Sequence, residues 1–133
     1  MTAQNRYSLL DRAVERELVP LCERLGIGVV PYYPLENGLL TGKYRRGEPA
    51  PEGTRLSGRL DVSDEQWVRV EALEAFGRVR GRSLLDVAIA GLASEPTVAS
   101  VIAGATKPDQ VRANAAAGDW KLSAEEREAL RGL

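Results

Sequence analysis

The residues best placed for chemistry fall in two clusters. The first is Gly26-Ile27-Gly28-Val29-Val30-Pro31-Tyr32-Tyr33-Pro34-Leu35, running on to Gly38-Leu39-Leu40-Thr41-Gly42-Lys43-Tyr44. It reads as an apolar strand that stops at two aromatics and a proline, followed by a glycine-bounded turn. Proteins of the α/β class place their ligands at such strand ends. The second is the turn Gly104-Ala105-Thr106-Lys107, which leads into a helix with Pro108 in its first turn. Unpaired backbone N–H groups and the positive end of the helix dipole attract anions there. Lys107 and Arg112 add charge to that turn, or stand as solvated cations on a surface helix.

Several chemistries are excluded. The chain has no histidine, so it holds neither a Ser-His-Asp nor a Cys-His arrangement. With one cysteine, Cys22, it can form no intrachain disulfide and no thiolate metal site. Gly42-Lys43 is not a phosphate loop. The glycine required five residues earlier is Asn37, and Tyr44 replaces the Ser or Thr. No catalytic set and no metal site are assigned. The 18 basic and 19 acidic residues argue against a nucleic-acid partner. No segment approaches the roughly 20 continuous apolar residues of a membrane helix. The first residues show no charged-then-apolar signal pattern, and the lone cysteine fits a reducing compartment. A cytoplasmic location is expected.

The elements that would position these clusters alternate between strand and helix. Thr2–Tyr7 is predicted as a short strand. Asp11 is predicted to cap a helix reaching Leu25, with Val14, Leu18, Leu21, Cys22 and Leu25 on one face. Pro20 is awkward in mid-helix, so the first turn is expected to be separate or kinked. Gly26 suits the position after the helix. Ile27–Tyr32 is nearly all apolar, which predicts a strand covered on both faces. Residues 45–61 form a long loop, expected to be mobile, rich in Pro, Gly and charge. Ser63 with Gln66 makes a capping box for a helix to about Arg80, with Trp67, Val70, Leu73 and Phe76 or Gly77 along one stripe. Ser83 with Asp86 opens a more apolar helix, Leu84–Ala93. Val98–Ala103 reads as a second buried strand. Thr106 and Asp109 are expected to frame the next helix, which ends near Gly118. Ser123 and Glu126 cap a last one, to about Leu130. Cys22, Trp67 and Trp120 are expected to pack in the interior. This order implies a single α/β domain, residues 1–133, with parallel strands.

Three blocks carry a resemblance to a known family. They are Gln4-Asn5-Arg6-Tyr7-Ser8-Leu9-Leu10, the strand-and-loop from Gly28 to Tyr44, and Val101-Ile102-Ala103-Gly104-Ala105-Thr106-Lys107-Pro108-Asp109-Gln110-Val111-Arg112-Ala113-Asn114. In this order they resemble the C-terminal half of an aldo-keto reductase. The resemblance implies half of a (β/α)8 barrel, with about three parallel strands and flanking helices. The chain is about half the ~250 residues of a whole barrel. It also implies NADP(H) as cofactor and carbonyl reduction as the family's activity.

By resemblance, Tyr32 stacks on the nicotinamide ring, and Gln4 contacts its carboxamide or lies beneath it. Leu35 and the backbone of Asn37-Gly38 line the diphosphate path. Gly104, Thr106 and Lys107 belong to the anion-binding turn, and Gln110 and Asn114 contact the adenosine end. The alternatives are a core aromatic for Tyr32 and a polar strand end for Gln4. Three positions depart from the family pattern. Tyr33 stands where a small residue is usual, and Ala113 where an acid is frequent. Glu36 is expected near the diphosphate, where a carboxylate is unfavourable. The family's catalytic Asp, Tyr, Lys and His have no counterparts here. Two functions are therefore expected: a reductase part that keeps the cofactor half, or a non-catalytic half-barrel that pairs with itself or a complementing chain.

Overall fold

Two strands, β1 (Thr2–Arg6) and β2 (Gly28–Tyr32), pair in parallel, with Thr2 beside Gly28 and Arg6 beside Tyr32. They come from a computed structural model that describes residues 1–133. Between them lie a 3₁₀ turn at Ala13–Glu15 and helix α1, Leu18–Leu25. After β2 come a 3₁₀ segment, Glu36–Thr41, and helices α2 (Asp64–Arg78), α3 (Leu84–Ala93), α4 (Pro108–Asp119) and α5 (Ala124–Arg131).

The third expected strand is not a strand. Val98 and Ile102 each make one isolated parallel bridge, to Val29 and Tyr32 respectively. Two causes act together. Val29 both donates to Thr97 and accepts from Ala99 on that side of β2, and the Pro31 carbonyl accepts from Ile102. Pro31 has no N–H, so the rung that would join these contacts is missing. Residues 98 to 102 also span one residue more than residues 29 to 32, which makes a bulge. The bulge moves Ile102 to the same sheet face as Tyr32, whereas Val98 shares the face of Val29. Gly28 permits the close approach: a Cβ there would lie 2.7 Å from the Ala99 Cβ.

Nor is β2 covered on both faces. Val29 and Pro31 are buried, while Val30 is half-buried and Tyr32 exposed. On the buried face Val29 joins one core cluster with Val87, Ala88, Ala90 and Leu92 of α3, all fully enclosed, and α1 packs against β2. α3 in turn packs against α2, α4 and the 3₁₀ segment. On the opposite face Gln4 and Tyr32 are exposed and Val30 is half-buried.

Helix α1 also differs from expectation. Asp11 accepts from the Ala13 N–H ahead of the 3₁₀ turn and does not cap α1, which starts at Leu18. Pro20 then falls in the first turn, where its missing N–H has no partner to lose. Cys22 is buried, but Leu21 and Leu25 point outward and are exposed. Gly26 ends the helix with φ 65°. The three capping boxes, Ser63/Gln66, Ser83/Asp86 and Ser123/Glu126, form as predicted. The stripe Trp67, Val70, Leu73, Phe76 and Gly77 is buried. Trp120 packs on Phe76 with ring centroids 6.4 Å apart. Residues 45–61 hold neither helix nor strand. They are tethered where the Leu56 N–H donates to the Tyr44 hydroxyl at 3.3 Å.

Candidate functional site

Because the strands are parallel, Arg6, Tyr32 and Ile102 lie together at one end of the sheet. Both clusters singled out in the sequence leave from this end. Tyr32 closes β2 with its ring 41% exposed, beside Ile102, which is 45% exposed. Gln4 is exposed on the same face, one strand over and beside Val30. An aromatic ring at the carboxyl end of β2 and an amide at the middle of β1 are thus presented on one face of the sheet.

The loop after Tyr32 is unusual in its backbone. Tyr33, Glu36 and Asn37 have φ of 65°, 46° and 57°, the only non-glycine residues in the left-handed region. Each such residue costs roughly 1–3 kcal/mol, and persists only where its surroundings hold it. Here the holding contacts are visible. The Tyr33 hydroxyl donates to Asn37 Oδ1. The Leu35 carbonyl accepts from the N–H groups of Gly38 and Leu40, at 2.9 and 3.2 Å. Gly38 follows with φ 90°, and a Cβ there would lie 2.8 Å from the Lys43 side chain.

Glu36 is not a free carboxylate. Arg6 Nη2 donates to its Oε2 at 2.8 Å, and Ser8 Oγ donates to its Oε1 at 2.7 Å. Its charge is spent on the end of β1. Tyr33 likewise turns aside, with its ring under the Arg6 guanidinium, 5.1 Å from centroid to Cζ. Lys43 was missed as a candidate. Its ammonium sits against Gly38 and over the Tyr44 ring, 5.3 Å from the centroid, and pairs with no carboxylate. The signal in the sequence is a lysine five residues after the loop glycine, Gly38.

The turn at 104–107 is arranged differently from a bare helix N-terminus. Gln110 Oε1 accepts from the N–H of Thr106 at 2.7 Å, from its hydroxyl at 3.1 Å and from the N–H of Lys107 at 3.2 Å. Gln110 therefore caps its own helix, in place of the expected Thr106/Asp109 frame. Asn114 Nδ2 donates to the Gly104 carbonyl at 3.4 Å. Arg112 pairs with Asp109 at 2.8 Å on the exposed surface. Lys107 is exposed. A surface recess of about 460 Å³ is lined by Ala105, Thr106, Lys107, Pro108, Val111 and Arg112.

The model of the aldo/keto reductase family matches residues 1–133. The chain belongs to the aldo/keto reductase family. Members of this family are oxidoreductases that use a nicotinamide cofactor. The chain is 38% identical over 123 residues to the NADH-specific methylglyoxal reductase of Escherichia coli (strain K12), covering 90% of this chain and 37% of that protein. It is 30% identical over 119 residues to the L-glyceraldehyde 3-phosphate reductase of the same strain, covering 84% of this chain and 34% of that protein. Among solved structures, the glycerol dehydrogenase of Gluconobacter oxydans superposes with a TM-score of 0.79 at 27% identity, over 98% of this chain and 41% of that one. The holo form of a Bacillus halodurans aldo-keto reductase gives 0.74 at 29% identity, over 99% and 42%.

This aldo/keto reductase chain thus has the α/β fold of the family's barrels and spans about two fifths of their length. The uncovered sheet face follows from that coverage, since a barrel wall has an interior side that the other strands enclose. A nicotinamide cofactor fits the residues present. The Tyr32 ring and Gln4 amide suit a flat heteroaromatic amide. The neutralised Glu36 and unpaired Lys43 suit an anionic linker.

Proposed function

We propose that this chain supplies the cofactor side of an aldo-keto reductase, holding NADP(H) along the carboxyl ends of its strands. The observation that carries the reading is the shared strand end. Tyr32, the loop 35–38 and the turn 104–107 leading into α4 stand at one end of one parallel sheet, with Gln4 two residues short of that end on β1. Tyr32 would offer its face to the nicotinamide and fix the ring for reaction, and positioning of this kind lowers the barrier by removing lost orientations. Gln4 would engage the carboxamide. Leu35, Asn37 and Gly38 would follow the diphosphate, with Lys43 as counter-charge. Gly104, Thr106, Lys107, Gln110 and Asn114 would hold the adenosine end. When bound, the reduced cofactor supplies the hydride for a carbonyl substrate. The acid that protonates the carbonyl oxygen is not among this chain's residues. The buried, single Cys22 thiol suits a reducing, cytoplasmic setting.

The test is a titration of the purified chain with NADPH and with NADH, followed by tyrosine and tryptophan fluorescence. Saturable quenching by either supports the reading, and no response at millimolar concentration of both would sink it. The same protein is expected to reduce no aldehyde or ketone by itself. Measurable turnover would show that the missing acid has been overlooked.

A second reading is favoured by the sheet. It has two paired strands, an uncovered face, and exposed Leu21 and Leu25 on α1. A chain of this shape would complete a barrel with a second copy or with a complementing polypeptide, which would close the sheet edges. The two readings are compatible, because a completed barrel would enclose the cofactor.

A further inference from the structure

We infer that Arg6, Ser8 and Glu36 form a latch between the end of β1 and the loop after β2, and that Arg6 and Glu36 are positioning residues for the cofactor loop. The inference rests on the proposed cofactor site and adds to it the residues that set its shape. Both Glu36 oxygens are used, one by Arg6 and one by Ser8. Ser8 is fully buried, and its Oγ is fixed by the N–H groups of Leu10 and Asp11, at 3.1 and 2.9 Å. Arg6 is a hub. It pairs with Asp11 at 3.1 Å as well as with Glu36, and its guanidinium covers the Tyr33 ring. Tyr33 in turn donates to Asn37.

The network therefore touches all three left-handed non-glycine residues of the chain, Tyr33, Glu36 and Asn37, and no other segment of backbone strain. An exposed ion pair would do little. Here Arg6 is half exposed, but the Glu36 side chain is only 13% exposed and is held by the buried Ser8 as well. Strain concentrated in one loop needs neighbours that over-determine it, and the latch provides them. It also keeps the Glu36 carboxylate turned away from the path proposed for the diphosphate. Loss of the latch would free a negative charge and relax the loop at the same place.

The experiment uses the full chain and the variants Arg6→Met, Glu36→Gln and Arg6→Lys. Amide hydrogen exchange is read at Gly38 and Leu40, whose N–H groups are bonded within the loop, and at α2 and α3 as a reference. NADPH and NADH are titrated in parallel. In Arg6→Met and Glu36→Gln, exchange at Gly38 and Leu40 is expected to rise by about tenfold or more while α2 and α3 hold their protection. Affinity for the cofactor that binds is expected to fall by about tenfold. Arg6→Lys, which keeps the charge, is expected to recover much of both. Unchanged exchange in the loop would overturn the latch. An equal rise throughout the molecule would also overturn it, since that marks a general packing contact. A loosened loop with undiminished affinity would overturn the positioning role. If the unaltered chain binds neither cofactor, the proposed function fails and the positioning role with it, and exchange alone then judges the latch.

Discussion

Tyr7 is the residue whose surroundings alter its chemistry most. Its hydroxyl donates to Glu15 at 2.7 Å and its side chain is buried. Burial first, and then the hydrogen bond to the Glu15 carboxylate, push the phenol well above its ordinary value of 10.0. The folded chain thus keeps a proton that the unfolded chain releases above about pH 10. Stability from this group is complete below that pH and is lost as the pH rises, by about 1.4 kcal/mol per pH unit. Urea unfolding of the unaltered chain and of Tyr7→Phe, measured from pH 8 upward, is expected to show the extra alkaline slope only in the former. Equal slopes would contradict it. Tyr32 is the opposite case, with an exposed ring and little to hold in the fold. Tyr32→Ala is expected to leave the urea midpoint nearly unchanged but weaken cofactor binding by about two- to tenfold, given the roughly 0.5–1.5 kcal/mol of an aromatic pair. A fall in the midpoint with intact binding would make Tyr32 a packing residue. Tyr32 was legible in the sequence because an aromatic after an apolar run marks a strand end. Arg6 and the capping use of Gln110 were not. A lone arginine carries no spacing signal, and Gln110 could be read equally as a ligand contact.

At the scale of elements, local rules served well where they were self-contained. Each Ser-x-x-Gln, Ser-x-x-Asp or Ser-x-x-Glu capping box formed, because both of its partners lie within one turn. The Trp67 stripe was legible for a similar reason: its helical spacing, on its own, assigns the buried face. Prediction failed where an outcome depended on pairing. Val98–Ala103 has the composition of a strand, but its ladder is broken by Pro31 on the neighbouring strand and by one extra residue. Leu21 and Leu25 were expected on the packed face of α1, yet both remain exposed. The close approach at Gly28 is testable. Gly28→Ala would force a Cβ to 2.7 Å from that of Ala99. It is expected to destabilise the chain by about 1–3 kcal/mol, the usual cost of overpacking. Urea denaturation gives the cost, and faster exchange at the Ala99 and Ile102 amides gives its location. A neutral effect would mean that residues 97–102 move aside freely.

At the scale of the molecule, family and fold were legible from three sequence blocks, and the open barrel wall was not. The apolar run at 27–32 suggested cover on both faces, because a barrel strand is apolar on both. In this chain the Val29 and Pro31 face is buried, while Val30 is half-buried and Tyr32 exposed on the other. Its inner face and sheet edges are expected to drive association. Sedimentation velocity at micromolar concentration is expected to show a dimer or larger species, and a monomer at all concentrations would count against pairing of half-barrels. The central claim is that four separated segments form one surface for a nicotinamide cofactor. Backbone amide NMR of the labelled chain, with added NADPH or NADH, tests it most directly. The expected result is a saturable shift confined to Gln4, Tyr32, Leu35–Gly38, Lys43 and Gly104–Asn114, all with the same dissociation constant. No shift at millimolar cofactor, or shifts confined to other surfaces, would contradict it.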